Sequence, residues 1–113
     1  KEMTMVKHNK CFIVGKNKEG ARRLEENPAD VYRNDIFIGT ISDEEYEFID
    51  DRIAAPACID HGIFFCKFEF DEIPPELVDY FFDLIGDDRD KAPVFCEALE
   101  WCKKSGGVIK VCF

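Results

Sequence analysis

The stretch over residues 63–70, Ile-Phe-Phe-Cys-Lys-Phe-Glu-Phe, narrows the options for this chain more than any other. It is the densest aromatic run and is too short for a good helix. It lies between Gly62 and the turn-prone Asp71-Glu72-Ile73-Pro74-Pro75. Bulky aromatics between turn residues predict a strand. Side chains alternate along a strand, so Phe64, Cys66, Phe68 and Phe70 should share one face, and Ile63, Phe65, Lys67 and Glu69 the other. The first face is wholly apolar and the second turns polar toward its end, as in an inner strand covered fully on one side and half on the other. The expected core is Phe64, Cys66, Phe68, Phe81, Leu99 and Val111, buried together.

A chain of 113 residues predicts a single globular domain over 1–113, with 1–9 frayed. A hydrophobic fraction of 46% with eleven Phe excludes a disordered polymer and can fill a real core. No apolar run approaches the ~20 residues of a membrane span, and the first ten residues lack the apolar centre of a secretion signal. The six cysteines fall mostly inside apolar patterns: Cys11, Cys66 and Cys112 in strands, Cys96 and Cys102 in a helix, and Cys58 in a loop. They read as reduced, small hydrophobes of a cytoplasmic protein.

Residues 10–15 predict a short strand with a nearly continuous apolar run, as in a buried parallel strand. Residues 16–27 predict an exposed helix supported by Glu19/Arg23 and Arg22/Glu26 at i,i+4 and ended by Pro28. Residues 29–34 predict a turn with Val31 and Tyr32 pointing inward, and 35–41 a second strand. Ser42 with Glu45 three residues later is the clearest helix start, a capping box in which each would bond the other's backbone. That helix should end at Ala54-Ala55-Pro56, with 57–62 a loop. Pro74-Pro75 opens a helix with Leu77, Val78, Phe81, Phe82 and Ile85 on its apolar stripe. Pro93 opens the last helix, Gly106 ends it, and 108–113 form a closing strand. Strands separated by helices predict an α/β or α+β domain. Its sheet would be mixed or partly parallel, of three to four strands, with about four helices packed on it.

The last helix, glycine and strand, Phe95-Cys-Glu-Ala-Leu-Glu-Trp-Cys-Lys-Lys-Ser-Gly-Gly-Val-Ile-Lys-Val-Cys-Phe113, resemble the closing segment of the barstar-type inhibitors. These are small acidic proteins with a similar order of strands and helices. The resemblance covers under a fifth of the chain and finds no counterpart of the acidic helix and aromatic loop that grip the nuclease in that family. It implies an analogous fold rather than membership.

Three patterns bear on chemistry. His8-x-x-Cys11 and Cys58-x-x-His61 together hold the ligand types of a zinc site. Cys11 belongs to an apolar strand, however, and neither pair has a knuckle glycine, so no metal and no cofactor is expected. Gly15-Lys16-Asn17-Lys18-Glu19-Gly20 between a strand and a helix has the setting of a phosphate loop. Ala21 and Arg22 stand where nucleotide hydrolysis needs Lys and Ser/Thr. Gly15, Lys16, Lys18, Gly20, Arg22 and Arg23 therefore remain the alternative, a small-ligand site for a phosphate or nucleotide. Cys58 with His61, oriented by Asp60, is the third reading, a thiol enzyme. A non-catalytic protein is preferred to it.

The charge pattern is the largest signal. Residues 1–34 carry eight Lys/Arg and five Asp/Glu, a net +3; residues 35–113 carry seven and nineteen, a net −12. Asp43, Glu44, Glu47, Asp50 and Asp51 on one helix, and Glu76, Asp79, Asp83, Asp87 and Asp88 on and after the next, would form two acidic faces. Such faces repel nucleic acid and membranes and steer basic proteins toward them. Tyr46, Phe48 or Tyr80 would anchor the partner if exposed. The expected function is therefore a small acidic inhibitor of a basic protein, such as a toxin, nuclease or nucleic-acid-handling complex. An immunity protein, an antitoxin or a phage-type anti-defence inhibitor would fit.

Overall fold

Four short strands form one sheet in the computed structural model, which describes residues 10–27, 34–65 and 70–113. The strands are β1 (Cys11–Gly15), β2 (Ile36–Thr40), β3 (Phe70–Ile73) and β4 (Ile109–Cys112), in the spatial order β2-β1-β4-β3. All three ladders are antiparallel, with Phe12 opposite both Gly39 and Val111, and Ile73 opposite Ile109. Alternation then sorts the side chains by face. Phe12, Val14, Ile73, Ile109 and Val111 are fully buried against the helices. Cys11, Ile13, Lys110 and Cys112 stand on the other face and are half-buried, while Ile38 beside them is exposed.

Helix α1 (Lys18–Glu26) is capped by the Asn17 side chain, which accepts from Gly20 N at 2.8 Å. Helix α2 (Asp43–Ile49), a π-helical turn (Asp50–Ala54) and α3 (Ala55–His61) follow one another without a break and make one rod. Ser42 Oγ caps the rod by accepting from Glu45 N at 3.1 Å. Pro56 lies in the first turn of α3, directly after the π turn. Inside a continuous helix a proline gives no N–H to the ladder, and the π turn is where the regular pattern is interrupted. Gly62, at φ 67°, ends the rod in the left-handed region that glycine adopts without steric cost. A 3-10 turn (Pro75–Leu77) leads into α4 (Val78–Ile85), and another (Arg89–Lys91) precedes α5 (Pro93–Ser105). The core joins the sheet to α5, α4 and the rod. Phe12 stacks on Phe95 with ring centroids 4.6 Å apart and meets Phe113 edge-on at 5.2 Å, while Phe65 and Phe81 pack on Phe95 from other sides. Leu24 of α1 and Ile36 of β2 are buried outside this cluster.

The α+β form of the expected fold is the one observed, with four strands and four helical bodies: α1, the rod, α4 and α5. Parallel pairing does not occur among the described strands. A helix between two strands does not force a crossover. The β1–β2 connection spends its length on α1 and returns beside β1 as a long hairpin. The helix–glycine–strand ending of the barstar-type resemblance is present locally, but its strand enters an antiparallel sheet.

Three local expectations change. Residues 57–62 are not a loop, because the helix runs through Pro56 to His61. Residues 63–65 are not in a strand, and β3 starts at Phe70 and takes in Asp71 and Glu72, which were expected to turn. Phe64 is 45% exposed, whereas Ile63 and Phe65 are buried, so the expected face is inverted at this point. Leaving the helix at Gly62 sets which parity points inward, and a one-residue shift exchanges the faces. Of the other expected core members, Phe81, Leu99 and Val111 are fully buried. Cys66, Lys67, Phe68, Glu69, Val31, Tyr32 and the stretch 1–9 with His8, expected to fray, lie outside the described residues.

Candidate functional site

The acidic residues lie on the rod, on α4 and on the segment after it. Asp43, Glu44, Glu47, Asp50, Asp51, Glu76, Asp79, Asp83 and Asp87 are exposed, and Asp88 is half-buried. The helical period accounts for this. Tyr46, Ile49, Ile53 and Ala57 turn one stripe of the rod toward the core, and the carboxylates fill the remainder. Asp43, Glu44 and Glu45 also occupy the first turn of α2, where the helix dipole favours negative charge.

Arg52 connects the two acidic elements. Its guanidinium donates to Asp88 Oδ2 at 2.9 Å and to the Leu84 carbonyl at 3.4 Å, and lies over the Phe48 ring. It therefore holds the π turn of the rod against the C-terminal end of α4. Asp79 pairs with Lys103 at 3.3 Å, and Asp88 lies 4.0 Å from Lys91. Asp43, Glu44, Glu47, Asp50, Asp51, Glu76, Asp83 and Asp87 form no ion pair with a described residue. Among the described residues the surface is thus acidic with little local compensation.

The three aromatic anchors named from the sequence are engaged inside the protein. Tyr46 packs edge-on against Phe113, Phe48 lies under Arg52, and Tyr80 packs on Phe81 and His61. The Tyr80 hydroxyl donates to Asp60 Oδ2 at 2.8 Å, and burial together with this carboxylate pushes its pKa up to about 12. Two other apolar side chains are exposed instead: Ile59, not singled out from the sequence, at 81%, and Phe64, expected in the core, at 45%. They follow one another closely at the C-terminal end of the rod. The signal was available for Ile59. Once the helix continues past Pro56, Ile59 falls about 200° around the axis from the buried Ala57 and faces solvent.

Glu45 has a role different from the expected one. Its backbone N–H is capped by Ser42, but its carboxylate does not close the box. It crosses to the start of α5, accepting from Phe95 N at 2.8 Å and Val94 N at 3.4 Å, and is only 3% exposed. Ala92, at the N-cap of α5, has no side-chain acceptor, so Glu45 supplies the cap from another helix. Burial pushes the Glu45 pKa up, opposed by the two N–H donors.

In the Gly15–Gly20 loop two of the amides have protein partners. Lys16 N donates to Asp35 O at 2.7 Å and Gly20 N to Asn17 Oδ1. Gly20 lies so close to Asp35 that an added Cβ would sit 2.0 Å from its carbonyl oxygen, so the glycine serves chain packing. Arg22 and Arg23 pair with Glu19 and Glu26 along α1, leaving Lys16 and Lys18 as the loop's unpaired side-chain cations among the described residues.

Cys58 and His61 lie one turn apart on α3. His61 packs edge-on to Tyr80, and Asp60 bonds Tyr80 instead of orienting the imidazole. Cys11 is on the sheet, away from this helix, and no group of three metal-ligating side chains occurs among the described residues. Nor is any helix among them long and apolar enough to cross a membrane. No family model, curated protein or solved structure matches the chain.

Proposed function

We propose that the chain is a small acidic binding protein that occludes a basic site on another protein. The observation that carries this reading is the exposed carboxylate surface on the rod and α4, most of it without a cation from the described residues. Exposed charge of one sign raises the rate at which an oppositely charged partner arrives. Arg52 supports the reading by fixing the two acidic elements to each other, so that their charges face a partner as one rigid surface. Ile59 and Phe64 replace the half-buried Tyr46, Phe48 and Tyr80 as apolar contacts that would slow dissociation.

The test is kinetic. A partner recovered by cross-linking in the native host should be basic, and its association should slow steeply with salt, because exposed charges are screened beyond a Debye length of about 8 Å near physiological ionic strength. Asp43→Lys with Glu47→Lys reverses the rod, and Asp79→Lys with Asp83→Lys reverses α4. At least one pair should lower the on-rate by about tenfold or more while leaving urea stability nearly unchanged. If both pairs leave the low-salt on-rate as it is, the acidic surface serves solubility and the proposal fails.

A further inference from the structure

The open face of the sheet carries two cysteines in direct register. Cys11 of β1 and Cys112 of β4 are antiparallel partners, so their side chains leave the same face side by side. Directly opposed antiparallel residues have Cα atoms about 4.5 or 5.5 Å apart, and a disulfide spans about 4.4–6.8 Å. Neither cysteine is in a disulfide, and both are half-exposed. Cys112 also lines an open groove of about 390 Å³ with Asp71, Glu72, Lys110 and Val111. A small molecule held in the groove would therefore lie beside Cys112.

The other described cysteines lack this combination. Cys96 and Cys102 are buried, and burial pushes both thiols up, Cys102 to about 12. The Cys102 thiol donates to the Gly107 carbonyl at 3.2 Å. Cys58 is half-exposed but stands on α3, with no cysteine opposite it in register.

We propose that Cys11 and Cys112 are a reversible redox site that forms a cross-strand disulfide by exchange with a low-molecular-weight disulfide entering the groove. The Cys112 thiolate attacks one sulfur of the reagent. The reagent's S–S bond breaks, one half leaves as a thiolate, and Cys112 holds the other half as a mixed disulfide. Cys11 then loses its proton and attacks the Cys112 sulfur, expelling the second half. Two protein thiols are oxidised, the reagent is reduced to two thiols, and these take up the two protons. Cys112 goes first because it borders the groove. The hydrogen bond with Cys112, burial and the Cys112 charge push the Cys11 thiol up, which accords with Cys11 attacking second. The finished bridge ties β1 to β4, the two central strands.

The experiment incubates the unsubstituted full chain with oxidised glutathione, alkylates the remaining thiols and maps the peptides by mass spectrometry. The expected product joins the Cys11 and Cys112 peptides, leaves the other four cysteines alkylated, and reverts with dithiothreitol. Its urea midpoint should exceed that of the reduced chain. Cys11→Ser should stop at a glutathione adduct on Cys112, with no bridge and no rise in midpoint. Recovery of Cys11 and Cys112 fully alkylated, an adduct on the native chain that never resolves, or a bridge from either cysteine to a different one would each overturn the proposal. The first arm needs no variant, so a substitution that fails to fold does not affect the decision.

Discussion

On one side of the sheet Phe12, Val14, Ile73, Ile109 and Val111 are fully buried; on the other Cys11, Ile13, Lys110 and Cys112 are half-buried and Ile38 is exposed. The same strands supply both sets, one residue apart. The covered side is nearly all hydrocarbon, and its rings interlock through Phe12, Phe95 and Phe113. The other side mixes thiols, an ion pair between Lys110 and Glu72, and scattered aliphatics. Stability is therefore concentrated at alternate positions, and the intervening ones are free to carry chemistry. Glu45 shows the same division among carboxylates. It is buried and holds the start of α5, while its neighbours Asp43, Glu44 and Glu47 face water.

Truncating the covered side should have the largest effect. Phe12→Ala is expected to cost about 3–5 kcal/mol in urea unfolding, the usual range for a large core side chain. Ile38→Ala on the open side should cost under about 1 kcal/mol. Similar losses for the two would erase the distinction between the faces.

Glu45→Ala comes next. It strips the buried Phe95 N–H of its acceptor, and leaving a buried donor unsatisfied costs about 1–3 kcal/mol. Asp43→Ala, on the same helix but in water, should stay within about 0.5 kcal/mol. The pH dependence has a definite sign. Glu45 titrates higher folded than unfolded, so the folded chain holds this proton more tightly. Its contribution is most favourable below the ordinary glutamate value of about 4.3 and declines as pH rises through the raised one. Glu45→Gln should abolish that decline, measured as the stability difference from wild type across the carboxyl range. An unchanged difference would mean that the carboxylate is as well solvated as its exposed neighbours.

The smallest effect is expected at the Lys110–Glu72 pair on the open face. Glu72→Gln should cost no more than about 1 kcal/mol and nothing measurable at high salt, since exposed pairs are weak and screened. A larger, salt-independent loss would show that the open face is structurally committed after all.

What could be read in advance followed the range of the interaction. The Ser42 cap, the α4 stripe, the Pro93 start, the Gly106 stop and the closing strand are local signals, and each is found where expected. The capping-box spacing of Glu45 is a local signal, while the N–H groups it serves are about 50 residues away in sequence and leave no trace near it. The direction of strand pairing was misread because helical connections suggested crossovers, and chain direction depends on where each helix returns. Phe64 was misplaced because alternation gives two faces without saying which is inward. The exposure of the acidic residues was legible from helical period. Their joining through Arg52, and the apposition of Cys11 with Cys112 across the sheet, depend on register between segments far apart in the chain.

The position of β4 bears on how the protein is made. It follows the other described strands in sequence, yet it lies between β1 and β3 in space. During synthesis β1 and β2 can pair early, but β3 has no neighbour among the described strands until β4 emerges. A ribosome adding about 5–20 residues per second needs several seconds to cover the roughly 70 residues between β2 and β4. Through that interval the nascent chain exposes the Phe12 side of an unfinished sheet. The last strand is therefore the keystone, and a stalled or prematurely released chain would present an open β1 edge flanked by unburied aromatic rings, a surface suited to holding chaperones or to aggregation.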